Sequence, residues 1–265
     1  MFANRSAKLA LCLTIVYLVW GSSYLATAIG VKHLPPLLFG GVRFFIAGLI
    51  LTTIAHLRGQ QLRIDRTELR HLSWVALGSI LLSNGMNAWG LQYVASNQAA
   101  LLNTTAALWI AIFATRGPRA HPLDRHTIVG LLIGFVGAAL IIWPRGSLFS
   151  SNLPQQGIIL LGVLGWSFSA VYLRNVASKL EVLAFTGMQF LIGGTMLMLA
   201  GFAVGEAPRF ILTPAGLWPM VYLTLVSSCV AYLAFAWLAK NTTPAVVGTY
   251  AYVNPIVAIF LGWAF

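Results

Sequence analysis

The sequence predicts an all-α, polytopic membrane fold made of two inverted five-helix repeats. Three observations carry this: charge is nearly absent, the uncharged stretches have membrane-spanning length, and the chain resembles itself at a fixed offset. Charged residues are 8% of the 265 and apolar ones 59%, with a mean hydropathy of +0.85. A soluble protein gives about a quarter of its positions to Asp, Glu, Lys and Arg, so this chain lacks the polar residues to cover itself in water. Lipid is the solvent that fits.

A helix needs about 20 apolar residues to cross the hydrocarbon, and nine segments meet or approach that. The first, 9–30, lies between Lys8 and Lys32, 23 uncharged residues apart. It runs into a second apolar segment with no small-residue cleavage site, so it reads as a retained helix and not a signal peptide. The second, 36–57, follows Pro35 and holds Arg43. The third and fourth, 72–93 and 96–115, share the 45 residues between Arg70 and Arg116 that hold no Asp, Glu, Lys or Arg; that is twice one span, with a tight turn expected near Ser96 and Asn97. The fifth, 127–143, carries Gly130, Gly134 and Gly137, small residues that let helices approach closely in a bilayer; Gly130 and Gly134 are read as packing within the monomer. The sixth is 157–175. The seventh, 182–204, fills the 24 uncharged residues between Glu181 and Glu206. The eighth, 217–238, precedes Lys240, and the ninth, 243–264, contains Pro255, which removes a helix hydrogen bond.

The net charge of +11 has a use other than nucleic acid. With the N-terminus in the cytoplasm, twelve Lys and Arg flank the spans on the inside and three (Lys32, Arg145, Arg209) on the outside, with Arg43 left within a span. That asymmetry orients a membrane protein, and no soluble basic domain exists to bind nucleic acid. Cys12 and Cys229 fall inside spans, implying neither a disulfide framework nor a metal site. The five histidines sit near loops without metal-ligand spacing, so no metal and no cofactor is expected.

At an offset of 146 residues Trp20 meets Trp166, Ala99 meets Ala245, and Gly41-Val-Arg-Phe-Phe-Ile-Ala-Gly-Leu-Ile-Leu51 meets Gly187-Met-Gln-Phe-Leu-Ile-Gly-Gly-Thr-Met-Leu197. A five-span repeat has an odd number of crossings, so the second copy enters the membrane from the other side. Inverted repeats are the usual framework of alternating access, with the substrate site where the halves meet at the midplane. The repeats are placed at 1–146 and 154–265. The second contains four of its five spans in this sequence, so ten helices and a cytoplasmic C-terminus are expected of the native protein.

Four segments give the chain a family likeness. They are Trp20-Gly-Ser-Ser-Tyr-Leu-Ala, Pro35-Pro-Leu-Leu-Phe-Gly-Gly-Val-Arg-Phe-Phe-Ile-Ala-Gly48, Ala95-Ser-Asn-Gln-Ala-Ala-Leu-Leu, and Thr243-Pro-Ala-Val-Val-Gly-Thr-Tyr-Ala-Tyr-Val-Asn-Pro-Ile-Val-Ala258. Together these resemble the EamA-type members of the drug/metabolite transporter superfamily, and most closely bacterial exporters of amino acids, including the aromatic amino-acid exporter type. The resemblance implies ten helices, a site in the bacterial inner membrane, a small-molecule substrate such as an amino acid or similar metabolite, contact with membrane lipid, and a monomer or weak dimer.

Eight residues are candidates for contact with substrate. Trp20 and Trp166 are repeat equivalents, and Trp20 stands about 18 Å up its helix from Lys8, beyond the interfacial belt. They are pocket walls or helix packing. Asn84, Asn87 and Asn103 are amides in the third and fourth spans, which hydrocarbon cannot satisfy; substrate or neighbouring helices must. Tyr232, Tyr250 and Asn254 make the last two spans polar-aromatic, suited to an amphipathic solute, with Pro255 able to expose carbonyls or simply to kink the helix. Arg43 is costly in a span. A structural role bonding helix-end carbonyls is favoured over a counter-charge for a substrate carboxylate, because the second repeat has the neutral Gln189 there.

No Asp or Glu lies within a span, so an acidic proton relay is not expected. A membrane enzyme would need an acid, base or metal cluster, while Asp65, Glu68 and Asp124 sit in basic loops where charge pairing accounts for them. A scaffold would not need polar aromatics at mid-depth. Within transport, the rivals to amino acids are drug-like, nucleotide-like and lipid-linked solutes.

Overall fold

The computed structural model describes residues 2–94, 96–142 and 153–264. Nine helical rods account for nearly all of them. Two are α1 (Phe2–His33) and α2 (Pro36–Leu57). Helix α3 covers 66–90 and has three parts: Arg66–Ala76, a π-helical stretch Leu77–Gly85, and Met86–Gly90. Helix α4 is Ser96–Thr104 and Ala106–Phe113, broken at Thr105. Then come α5 (Arg125–Ile142), α6 (Leu153–Asn175) and α7 (Val182–Ala203). Helix α8 runs over 214–241 as Pro214–Tyr222, a π-helical Leu223–Ala231 and Tyr232–Asn241. Helix α9 is Pro244–Gly248 and Tyr250–Ala264. Five rods are by themselves long and apolar enough to cross a membrane.

Several rods outrun their hydropathic limits. Helix α3 begins at Arg66 instead of 72 because Asp65 caps it, its side chain accepting from Glu68 N at 2.8 Å. Polar first turns extend helices into the interface, where hydropathy no longer reports them. The turn between α3 and α4 comes at 91–94, just before the expected place. In α9 the break falls at Thr249, six residues before Pro255, which sits inside the helix. Pro255 has no N–H for Ala251 O, whereas the break lies a little earlier, where Tyr252 N donates to Thr249 O at 3.1 Å.

The offset of 146 reappears in the backbone. Helix α2 at 36–57 maps onto α7 at 182–203, and the π-helical stretch 77–85 onto 223–231. Both α2 and α7 end alike: Gly59 (φ +70°) and Gly205 (φ +76°) take the left-handed conformation, and the next N–H reaches back five residues, Gln60 to Ala55 O and Glu206 to Gly201 O. Glycine adopts that backbone without steric cost.

Helices α2 and α7 pack antiparallel on a pseudo-two-fold relation, through glycines that are repeat equivalents. A Cβ on Gly41 would lie 2.8 Å from Met198 N, and one on Gly194 would lie 2.5 Å from Phe45 N. Further along, Gly48 meets Leu191 N and Gly187 meets Thr52 N in the same way. The first helix of each half lies against the third and fourth of the other: α6 against α3 and α4, α1 against α8 and α9. The halves are thus interlocked, and Trp20 and Trp166 face each other at the centre, 5.4 Å apart and edge to face.

Large apolar side chains such as Leu11, Leu18, Ile133, Leu140 and Phe202 are exposed around the outside, as a lipid-facing surface requires. The expectation for α5 is corrected. Gly134 packs on the Tyr252 ring, but a Cβ on Gly130 or Gly137 would meet nothing within 4 Å, so among the described residues Gly130 has no packing partner. A glycine pair at i and i+4 fixes which face is small, not that a partner reaches both.

Candidate functional site

A cavity of about 200 Å³ opens between the halves, and all eight candidate residues line it, as does Arg43. Its rim includes Pro36 and Leu91, at helix ends on the face opposite the N-terminus. Its floor is aromatic. The Trp20 ring centroid lies 5.0 Å from that of Phe235 and 5.3 Å from that of Tyr250; Trp166 lies 4.9 Å from Phe235, and Phe190 4.7 Å from Tyr232. Trp166 Nε1 donates to Tyr250 OH, satisfying the indole away from water. Beyond the floor, toward the N-terminal face, Val16, Leu173, Phe185 and Leu238 are fully buried.

The walls are amides and hydroxyls. Asn87 Nδ2 donates to Asn103 Oδ1 at 2.9 Å, joining α3 to α4, and Asn103 Nδ2 donates to Ala99 O. Asn84 stands in the π-helical part of α3; its Nδ2 donates to Ser79 O at 2.8 Å, and its Oδ1 accepts from Arg43 Nη2 at 2.9 Å. Arg43 therefore bonds an amide across α2 and α3 and not a helix-end carbonyl. Its guanidinium carbon is 4.4 Å from the Phe44 ring centroid, which supplies a cation–π contact. Asn254 is buried; with its amide turned to satisfy both partners, Nδ2 donates to Tyr17 O and Tyr250 O. Tyr232 OH accepts from Gln189 Nε2 at 2.6 Å.

Sequence reasoning missed Tyr24, Thr27, Ser83, Ser227 and Ser228, which also line the cavity. The adjacent serines at 227 and 228, mid-span, were a readable sign. The two π-helical stretches that present Asn84 and Ser227 had none, because hydropathy has no signature for one extra residue in a turn. Such stretches gather at functional sites.

The N-terminal face is closed by polar contacts between the halves. Arg119 Nη1 donates to Arg174 O and its backbone N–H to Asn175 Oδ1, both at 3.0 Å; Arg5 Nη2 donates to Asn241 O. Cations thus sit on carbonyls at the C-terminal ends of α6 and α8, where the helix dipole favours them. Arg174 in turn donates to Thr242 O. Glu68 is 3% exposed and accepts from Ser178 Oγ at 2.8 Å and Lys179 N at 2.6 Å. Nearby, Lys179 Nζ meets Asp65 Oδ2 at 2.8 Å. That hydrogen bond, with those from the backbone, holds Asp65 below the usual carboxylate range and lifts Lys179 above the usual lysine value.

Known proteins agree with this arrangement. A solved crystal structure superimposes with a TM-score of 0.80 over 97% of this chain and 88% of that one, at 18% identity, which speaks to the fold. The uncharacterized inner membrane transporter YedA of Escherichia coli K12 is 34% identical over 252 residues, covering 93% of this chain and 79% of YedA. The uncharacterized transporter YoaV of Bacillus subtilis is 23% identical over 97% of this chain and 88% of its own length. An uncharacterized transporter of Archaeoglobus fulgidus is 26% identical over 98% and 90%. The sequence profile of the EamA-like transporter family matches twice, at 7–143 and 156–265. The chain belongs to the EamA-like transporter family, whose members carry small solutes across membranes.

Proposed function

We propose that this protein exports amino acids or closely related small metabolites across a bacterial inner membrane by alternating access, with the N-terminus in the cytoplasm and the central cavity as its substrate site. The observation that carries the reading is the convergence of aromatic and amide side chains from both repeats on one cavity whose rim includes Pro36 and Leu91, at helix ends opposite the N-terminus. The repeats, 1–146 and 154–265, are the halves that move. The membrane is the one named for YedA, and the twelve-to-three distribution of basic residues orients the chain. In that orientation the structure faces outward.

Size favours metabolites over drug-like solutes. Pockets for drug-sized ligands hold about 300–1,000 Å³, and this cavity is smaller. The test is counterflow of radiolabelled amino acids in proteoliposomes, with and without a proton gradient. Saturable exchange of a neutral amino acid, lost in Trp166→Ala, is the expected result; its absence across the panel from folded protein would refute the amino-acid reading.

A further inference from the structure

The charge balance of the cavity is uneven. Arg43 is 8% exposed, and of its five N–H donors one is bonded to a protein acceptor while Nε has no partner. The five acidic residues of the chain are all elsewhere. Asp65, Glu68, Asp124 and Glu181 lie in the loops and helix ends of the N-terminal face. Glu206 caps α2 from the opposite face, its oxygens accepting from Leu37 N and Leu38 N at 3.3 and 2.8 Å. A buried cation without an anion is costly, and the fold does not demand one here, since Gln189 fills the equivalent place. Asn84 holds the guanidinium in a fixed pose, because its own Nδ2 is tied to Ser79 O. Arg43 lines a cavity whose other lining residues are uncharged.

The geometry points to Arg43, positioned by Asn84, as the subsite for a substrate carboxylate, so that the cavity selects organic monoanions and zwitterions through that group and rejects organic cations. Bidentate geometry suits guanidinium to carboxylate. The apolar body of such a solute lies on the floor made by Trp20 and Trp166. Among the described residues no carboxylate lines the cavity to meet an ammonium, so the amino group is dispensable and the acid group is not. This rests on the cavity being the substrate site, as proposed above.

Three probes that share one body separate the possibilities: phenylalanine, 3-phenylpropionate, which lacks the ammonium, and phenethylamine, which lacks the carboxylate. Calorimetric titration of the purified protein is expected to give 3-phenylpropionate an affinity close to that of phenylalanine and phenethylamine one at least about 30-fold weaker. Arg43→Gln is expected to lower the first two by a similar factor and leave phenethylamine unchanged, with Arg43→Lys between. Phenethylamine binding as tightly as 3-phenylpropionate, or neither acid binding to folded protein, overturns the inference; so does an Arg43→Gln variant that keeps full affinity. Should that variant not fold, the probe series on the unaltered protein decides. Binding of the acids in the expected order without counterflow would leave the carboxylate subsite standing and refute transport. Phenylalanine counterflow indifferent to Arg43→Gln would do the reverse.

Discussion

Positions 43 and 189 stand at the same place in the two repeats, yet their surroundings are opposite. Arg43 reaches the cavity and bonds Asn84. Gln189 is fully buried, and its Nε2 donates to Ser79 Oγ and Tyr232 OH. The helices carrying them are near copies, down to the glycine at which each ends. Packing demands the symmetry, because Gly41 meets Gly194, the counterpart of Gly48, while Gly48 meets Gly187, the counterpart of Gly41. The site demands its loss. Gln189 lies outside the cavity lining, packed on Ser79 and Tyr232, so a second guanidinium at that place would be buried without an anion.

Imposing the symmetry on the side chains is the most damaging way to break that contrast. Gln189→Arg places a cation among Ser79, Tyr232 and Phe190 with no acid in reach, and is expected to cost about 3–5 kcal/mol, measured by denaturant titration in micelles. The symmetric backbone is next. Gly194→Ala drives a methyl onto the backbone of Phe45, where neither helix can yield cheaply, with an expected loss of about 3 kcal/mol. The same change at Gly130 meets open space and is expected to lose nothing, gaining instead up to about 1 kcal/mol of helix propensity. Equal melting temperatures for the two variants would refute the glycine-mediated packing of α2 on α7.

The repeat was legible because it is written in residue identity: Trp20 with Trp166 and the matched Gly41 and Gly187 survive any uncertainty about helix ends. The polar candidates were legible for a related reason. In a chain this apolar, an amide or a phenol at mid-span has few places to go, and one cavity collects them. What could not be read was how neighbours bond. The Arg43–Asn84 pair depends on which way α3 turns after Ser79, and that is set by the π-helical stretch, whose extra residue leaves no hydropathic trace. The closure of the N-terminal face was equally hidden. Arg119 and Arg174 read as topogenic charges, and that they also donate to carbonyls and amides at helix ends follows only from how the loops stack.

That closure gives a smaller test of the same division. Glu68 joins α3 of the first half to the 176–181 loop of the second through two part-buried hydrogen bonds. Glu68→Ala leaves Lys179 N without its acceptor and is expected to favour opening of that face by about 2 kcal/mol. Hydrogen exchange in 176–181 should then rise roughly 30-fold, while the α2–α7 crossing stays protected. Exchange rising equally at the crossing would mean general unfolding and not the opening of a gate.

The smallest effect is expected three residues away. Asp65 meets the same Lys179, but through an exposed pair that solvent and salt screen. Asp65→Asn keeps an N-cap for α3 and removes only the charge. In the unaltered protein the lowered Asp65 pKa makes the pair's contribution complete above the usual carboxylate range and lost as pH falls through the lowered value. The raised Lys179 pKa makes it complete below the usual lysine value and lost as pH rises through the raised one. Between roughly pH 5 and 9 the contribution is therefore flat, and melting curves of the two proteins should run parallel there, a small and constant distance apart, converging at either extreme. Glu68→Ala should lie well below both throughout. A deficit in Asp65→Asn at neutral pH as large as that in Glu68→Ala would mean that surface charge, and not the hydrogen bonds from Ser178 and Lys179 to Glu68, holds the two halves together at this face.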